Sequence, residues 1–134
     1  MNVILSIKPE YAEKILDGSK KFEFRKVSFS NQRVENVLMY ATRPVAKVVG
    51  QFKVRTIHVD KPKSIWQKTK NHAGIPKSFF DDYYRDRSLA IAIEVESVLR
   101  YDVPIALSDF GLVSAPQSFQ YYESDLERQL TLAL

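Results

Sequence analysis

The 134-residue sequence contains no cysteine. That excludes a disulfide scaffold, a thiol nucleophile and any cysteine-ligated zinc site at once. Histidine is also scarce: His58 and His72 stand 14 positions apart, in no spacing typical of a metal site. No apolar run approaches the 18 residues that would suggest a membrane span, and the first residues carry no signal-peptide pattern. There is no internal repeat, low-complexity tract or interdomain linker. The expectation is one cytoplasmic domain over 1–134, without a membrane partner and without a cofactor, long enough to bury a core unaided.

Hydrophobic content of 45% and charge of 27% are ordinary for a globular chain, and the net charge is only +4. Its distribution is uneven. Residues 1–77 hold 16 Lys and Arg against 6 Asp and Glu, a balance of +10, whereas residues 78–134 balance at −6. A basic lobe suits a polyanionic partner, although halves of a sequence need not be halves of a molecule.

The apolar pattern predicts a buried strand at residues 3–7. A helix follows, opened by Pro9 at its first position and closed at Asp17-Gly18, with Tyr11, Ala12, Ile15 and Leu16 on one stripe. Strands are expected at about 20–26, 34–40, 45–59 and 89–95, with a last short one at 118–122. Gly50, in the middle of the longest, predicts a bulge or bend. Two short helices fall near 64–69 and from Pro76 onward, residues 101–117 read as turn-rich, and Leu126, Leu130 and Leu134 mark a helix at about 123–134. Five or six strands with inserted short helices predict an α+β fold built on a small mixed β-barrel.

Residues 18–25, Gly-Ser-Lys-Lys-Phe-Glu-Phe-Arg, concentrate the chemistry. Strand alternation sends Phe22 and Phe24 to one face and Lys21, Glu23 and Arg25 to the other, with Lys20 at the turn. Cations around one carboxylate can form a pocket for a base-like or anionic ligand, or an ordinary solvated face. An arginine offers a planar fork of donors, a lysine a compact cation, and a glutamate accepts from an exocyclic amine. Lys20 can also act as a nucleophile or base if its pKa is depressed. Lys21 and Arg25 push it that way and Glu23 pushes back. Gly18 is explained fully as a helix-ending residue.

The spacing Gly18-x-Lys20-x-x-Glu23-x-Arg25 resembles the signature of the ASCH domain family, a branch of the PUA-like β-barrels. Residues 4–9 resemble the family's opening and Pro116-Gln117-Ser118-Phe119 the closing segment of one subgroup, so the resemblance spans about residues 3–121. It implies a PUA-like fold and an RNA or modified-nucleoside recognition role. One branch is a small amidohydrolase of acetylated cytidine with a lysine, threonine and glutamate catalytic set. Lys20 matches its lysine, but Glu23 stands where its threonine falls, which argues against that activity; Glu94 and Glu96 are candidates for its glutamate. Another branch is a metal-assisted ribonuclease. A regulatory interaction domain is a third reading.

Lys20, Lys21, Glu23 and Arg25 are therefore the expected ligand-binding residues, Lys20 being catalytic if the chain is an enzyme. The resemblance adds Gln117 and Ser118, and position on the third strand adds Tyr40 and Arg43. No metal site is expected. Asp81-Asp82 reads as solvated helix surface. Phe79, Phe80, Tyr83 and Tyr84 read as a core-packing stripe, with base stacking as the alternative. Trp66 either caps the barrel or walls the cleft. Arg33, Arg43, Lys47, Lys53, Arg55, Lys61, Lys63, Lys68 and Lys70 form either a phosphate track or a solubilising surface.

Overall fold

In a computed structural model of the chain, residues 1–29 and 33–122 are described. The strands are β1 (Asn2–Ile7), β2 (Phe22–Arg25), β3 (Asn36–Ala41), β4 (Lys47–Asp60), β5 (Ala90–Ile105) and β6 (Phe119–Tyr122). The helices are α1 (Pro9–Leu16), α2 (Pro62–Thr69) and α3 (Lys77–Tyr83), with 3₁₀ turns at Lys70–His72 and Leu107–Phe110. The six strands form one mixed sheet in the order β2-β5-β4-β3-β1-β6, in which only β1 and β3 run parallel. The sheet is curled into a half-barrel, the α+β architecture expected from the pattern. The expected helix at 123–134 lies outside the described residues.

Strand alternation sorts the core. On one face Val3, Leu5, Ile7, Val37, Met39, Phe52 and Ile93 bury against Ala12, Ile15 and Leu16 of α1. α2 and α3 cover a second cluster, in which Phe24, Ala90 and Ala92 meet Ile65, Phe80 and Tyr84. Both faces of β2 are therefore covered: Phe24 lies under the helices, while Glu23, opposite Ile93, faces inward. The register between β4 and β5 shifts at Val48/Gly50, the irregularity that Gly50 predicted. A Cβ on Gly50 would stand 2.6 Å from the Leu99 carbonyl oxygen, so only glycine fits there.

β5 is longer than its pattern suggested, continuing to Ile105 where turns were expected. β2 pairs only with Ile91–Glu94, whereas β4 follows β5 as far as Ile105. Among the described residues no strand pairs with the outer edge of β5 beyond β2, so Pro104 costs no ladder hydrogen bond there. Among the described residues no helix is long and apolar enough to cross a membrane.

Candidate functional site

A cleft of about 570 Å³ opens between β2, α1, α3 and the segment leading into β6. Its position follows from how α1 ends. Gly18 takes φ +88°, and the Lys20 backbone N–H returns to the Lys14 carbonyl 3.0 Å away. The reversal delivers Lys20 to the cleft floor, where it is 2% exposed. Its ammonium donates to the Ala73 carbonyl at 2.6 Å and stands 4.7 Å and 5.4 Å from the ring centres of Phe24 and Tyr11. Burial lowers its pKa to about 8; Glu23 opposes the shift and Lys14 adds to it. The helping cation is thus Lys14, not the expected Lys21 and Arg25. Lys14 itself donates to the Gly74 carbonyl at 3.1 Å.

Glu23 is 5% exposed. Burial raises its pKa, while Lys20, Arg25 and the Phe24 backbone N–H pull it back. The Arg25 guanidinium stands 3.7 Å from its carboxylate, beyond hydrogen-bond reach. Arg25 is engaged elsewhere. It donates to the Ser6 carbonyl at 3.2 Å, the Ser118 carbonyl at 3.1 Å and the Ser118 hydroxyl at 2.8 Å. One side chain thereby ties β2, at one edge of the sheet, to β1 and the start of β6 at the other.

The cleft brings together Lys20, Glu23, Arg25, Gln117 and Ser118. It does not gather the other three expected residues. The Lys21 side chain is exposed, although its backbone N–H donates to the His72 carbonyl and its carbonyl accepts from Val95. Tyr40 is buried with Ile4, Leu38 and Val48, against Tyr101 and Leu107. Arg43 is exposed in the turn after β3, beside a cis Arg43–Pro44 bond. The nine cations of the suggested track also miss the cleft. Lys53, Arg55 and Lys68 face Glu96, Glu94 and Asp60 at 3.3, 3.6 and 3.7 Å.

Several lining residues had no signal of their own in the sequence. Tyr11 counted only as part of the α1 stripe, and Lys8 and Lys26 were not singled out. In the structure the Lys8 and Lys26 ammonium groups stand 5.8 Å and 4.7 Å from the ring centres of Phe79 and Tyr83. The aromatic stripe of α3 divides: Phe80 and Tyr84 are core, while Phe79 and Tyr83, stacked at 6.5 Å, wall the cleft. The core reading of all four thus holds for two. Trp66 packs on Phe80 at 5.0 Å and caps the second cluster.

Neither candidate for the hydrolase branch's glutamate reaches the cleft. Glu94 meets His58 at 2.8 Å and Glu96 faces Lys53, and neither lines the cleft. Asp81 and Asp82 are exposed and pair with Lys77 and Arg85 on their own helix or just beyond it. Among the described residues no three His, Asp or Glu side chains converge in a group that could hold a metal ion.

Comparison with known proteins agrees with this architecture. Residues 5–99 match the ASCH domain family. The chain is 28% identical over 133 residues to an ASCH domain-containing ribonuclease of Zymomonas mobilis, covering 95% of this chain and 88% of that protein. It superposes on the crystal structure of ASCH from Zymomonas mobilis with a TM-score of 0.83, at 25% identity, over 99% of this chain and 94% of that one. It is also 32% identical over 120 residues to the large ribosomal subunit protein uL22 of Ureaplasma parvum. That match covers 89% of this chain, which spans only 38% of the relative's length. On the match over residues 5–99, the chain belongs to the ASCH domain family.

Proposed function

We propose that the cleft binds an unstacked base of single-stranded RNA, or a free nucleoside or nucleotide, including modified ones. The observation that carries this reading is the convergence of Lys20, Glu23 and Arg25 on a floor walled by Tyr11, Phe79 and Tyr83. Its volume is in the range of small-molecule sites, and its lining combines aromatic faces with a few polar groups. Aromatic rings accept a base released from its stack, and Lys8 and Lys26 supply charge for phosphate. A pocket of this shape suits RNA better than a stacked duplex. Fluorescence anisotropy with short labelled single-stranded RNA and matched DNA, at two salt concentrations, tests it. Salt-sensitive binding that prefers RNA and is lost in Lys20→Met/Lys26→Ala supports the reading; binding indifferent to both substitutions removes the cleft from it.

A second reading, turnover of the bound nucleic acid or nucleoside, is favoured by the state of Lys20. A pKa near 8 keeps an appreciable fraction neutral close to physiological pH, and a neutral amine can accept a proton from a 2′-hydroxyl or a water. The name of the Zymomonas relative points the same way for that protein. Glu23 at the threonine position weighs against acyl-amide hydrolysis within this reading. Gel analysis of the RNA after the binding experiment separates the two: cleavage abolished by Lys20→Met supports turnover, and intact RNA leaves recognition alone.

A further inference from the structure

Glu23 presents an unusual situation for a buried acid. The Lys20 ammonium donates to the Ala73 carbonyl, and the Arg25 guanidinium donates to Ser6 and Ser118, with its nearest approach to the Glu23 carboxylate at 3.7 Å. Two cations therefore act on Glu23 through charge without hydrogen-bonding to it. Among the described residues, the donor facing the carboxylate is the Phe24 backbone N–H. An ionised carboxylate offers about four acceptor positions, and a buried one with few donors is costly. Glu23 lines the cleft, so its unfilled acceptor positions are open to a ligand that brings N–H groups.

Two kinds of ligand present a pair of adjacent N–H donors to a carboxylate: a guanidinium and the N1–H/N2–H edge of guanine. The surroundings decide between them. Among the described lining residues Glu23 is the only acid, against Lys8, Lys20, Arg25 and Lys26. A second guanidinium would enter an already cationic cleft beside Lys20 and Arg25. A neutral base carrying an anionic phosphate meets no such repulsion, since Lys8 and Lys26 favour the phosphate. Adenine, cytosine and uracil each lack two neighbouring donors on this edge.

Resting on the nucleotide-binding reading above, we infer that the cleft selects guanine, with the Glu23 carboxylate accepting from its N1–H and N2–H and so determining specificity. The aromatic wall holds the plane of the base, and the cations hold the phosphate without choosing among bases. Lys20 and Arg25 are positioning residues for Glu23: they favour its charged form against the burial that opposes it, without hydrogen-bonding to its oxygens.

Isothermal titration of the full chain with GMP, IMP, N1-methyl-GMP, AMP, CMP, UMP and N-acetyl-arginine amide tests this. The ligand series needs no change in the protein: IMP lacks the N2 amine and N1-methyl-GMP lacks the N1–H. Each is expected to bind about tenfold or more weakly than GMP, as is each of the other bases. Glu23→Gln, with one acceptor oxygen in place of two, is expected to abolish the preference while leaving weak binding of all nucleotides. Two RNA 9-mers differing only in a central G or A show whether the guanine is read in a strand or as a free mononucleotide. Nucleotides binding within about twofold of one another overturn the guanine assignment and leave nucleotide binding standing. The arginine amide binding more tightly than GMP overturns it in favour of a peptide ligand. If neither nucleotide nor RNA binds, both readings fall.

Discussion

Lys20 lies against Gly74 so closely that a Cβ on Gly74 would stand 2.6 Å from the Lys20 Cγ and 2.7 Å from its Cβ and Cδ. Gly74 also takes φ +71°, in the left-handed region that side chains resist. The loop before α3 is thus moulded onto the lysine stem, and the neighbouring Ala73 carbonyl receives its ammonium.

Gly74→Ala is therefore expected to act twice, through backbone strain and through displacement of Lys20. Overpacking and left-handed strain each cost about 1–3 kcal/mol, so a clear fall in Tm is expected in thermal denaturation. Ligand binding should fall as well, because the Lys20 ammonium moves with its stem. Gly18→Ala meets no neighbour within 4 Å and carries only the strain at φ +88°, so it should cost less and spare binding. Equal losses in the two variants would contradict the packing role of Gly74.

The lowered pKa of Lys20 makes a prediction about pH. Between about 8, its value in the folded protein, and its ordinary 10.5, the unfolded chain holds a proton that the native protein has released. Native stability attributable to this residue therefore rises with pH across that window, by up to about 1.4 kcal/mol per unit. Below about pH 8 the charged side chain is buried and the folded state bears the cost. Urea denaturation of wild type and Lys20→Met at several pH values between 7.5 and 10 isolates the effect as a difference in slope. Parallel pH profiles would show that Lys20 stays charged.

Arg25 is expected to be a structural tie before it is a ligand contact. Arg25→Ala removes its bonds to Ser6 and Ser118 and takes the nearest guanidinium from buried Glu23, a loss of about 3–5 kcal/mol. Arg25→Lys should rescue little, since a single ammonium does not reproduce the fork that spans two strands. Amide hydrogen exchange should speed up in β6 first. Unchanged protection of β6 in Arg25→Ala would refute the tie.

Adjacent tyrosines on α3 should behave differently. The Tyr84 hydroxyl lies 2.9 Å and 3.0 Å from the carbonyl oxygens of Arg25 and Ile91, so Tyr84→Phe should cost about 1 kcal/mol and leave ligand affinity unchanged. Tyr83 walls the cleft, so Tyr83→Ala should weaken binding of an RNA base by about 1–3 kcal/mol with a smaller loss in Tm. Paired measurements of Tm and Kd on the two variants check the contrast.

Most elements were legible because local rules suffice for them. Pro9 and Gly18 bracket α1, apolar patterning marks β1 through β4, and Gly50 marks the break in register. The part of β5 beyond residue 95 was not legible. Whether Pro104 ends a strand depends on whether its outer edge has a partner, and only the short length of β2 beside it decides that. Tyr40 and Arg43 were proposed from their place on the third strand. Burial took the one and an exposed turn the other.

By itself the sequence determined most helix and strand starts and the opposed faces of β2, because these depend on neighbours within a few positions. Tertiary structure alone decided that both faces of β2 are covered and that Arg25 is engaged by Ser6 and Ser118. It also decided that Gly74 shapes the bed of Lys20 and that two of four aromatics on α3 face the cleft. The contacts that place Arg25 and Lys20 join residues 19 to 93 positions apart. The desolvation that moves the pKa of Lys20 and Glu23 arises only when those distant segments close over them.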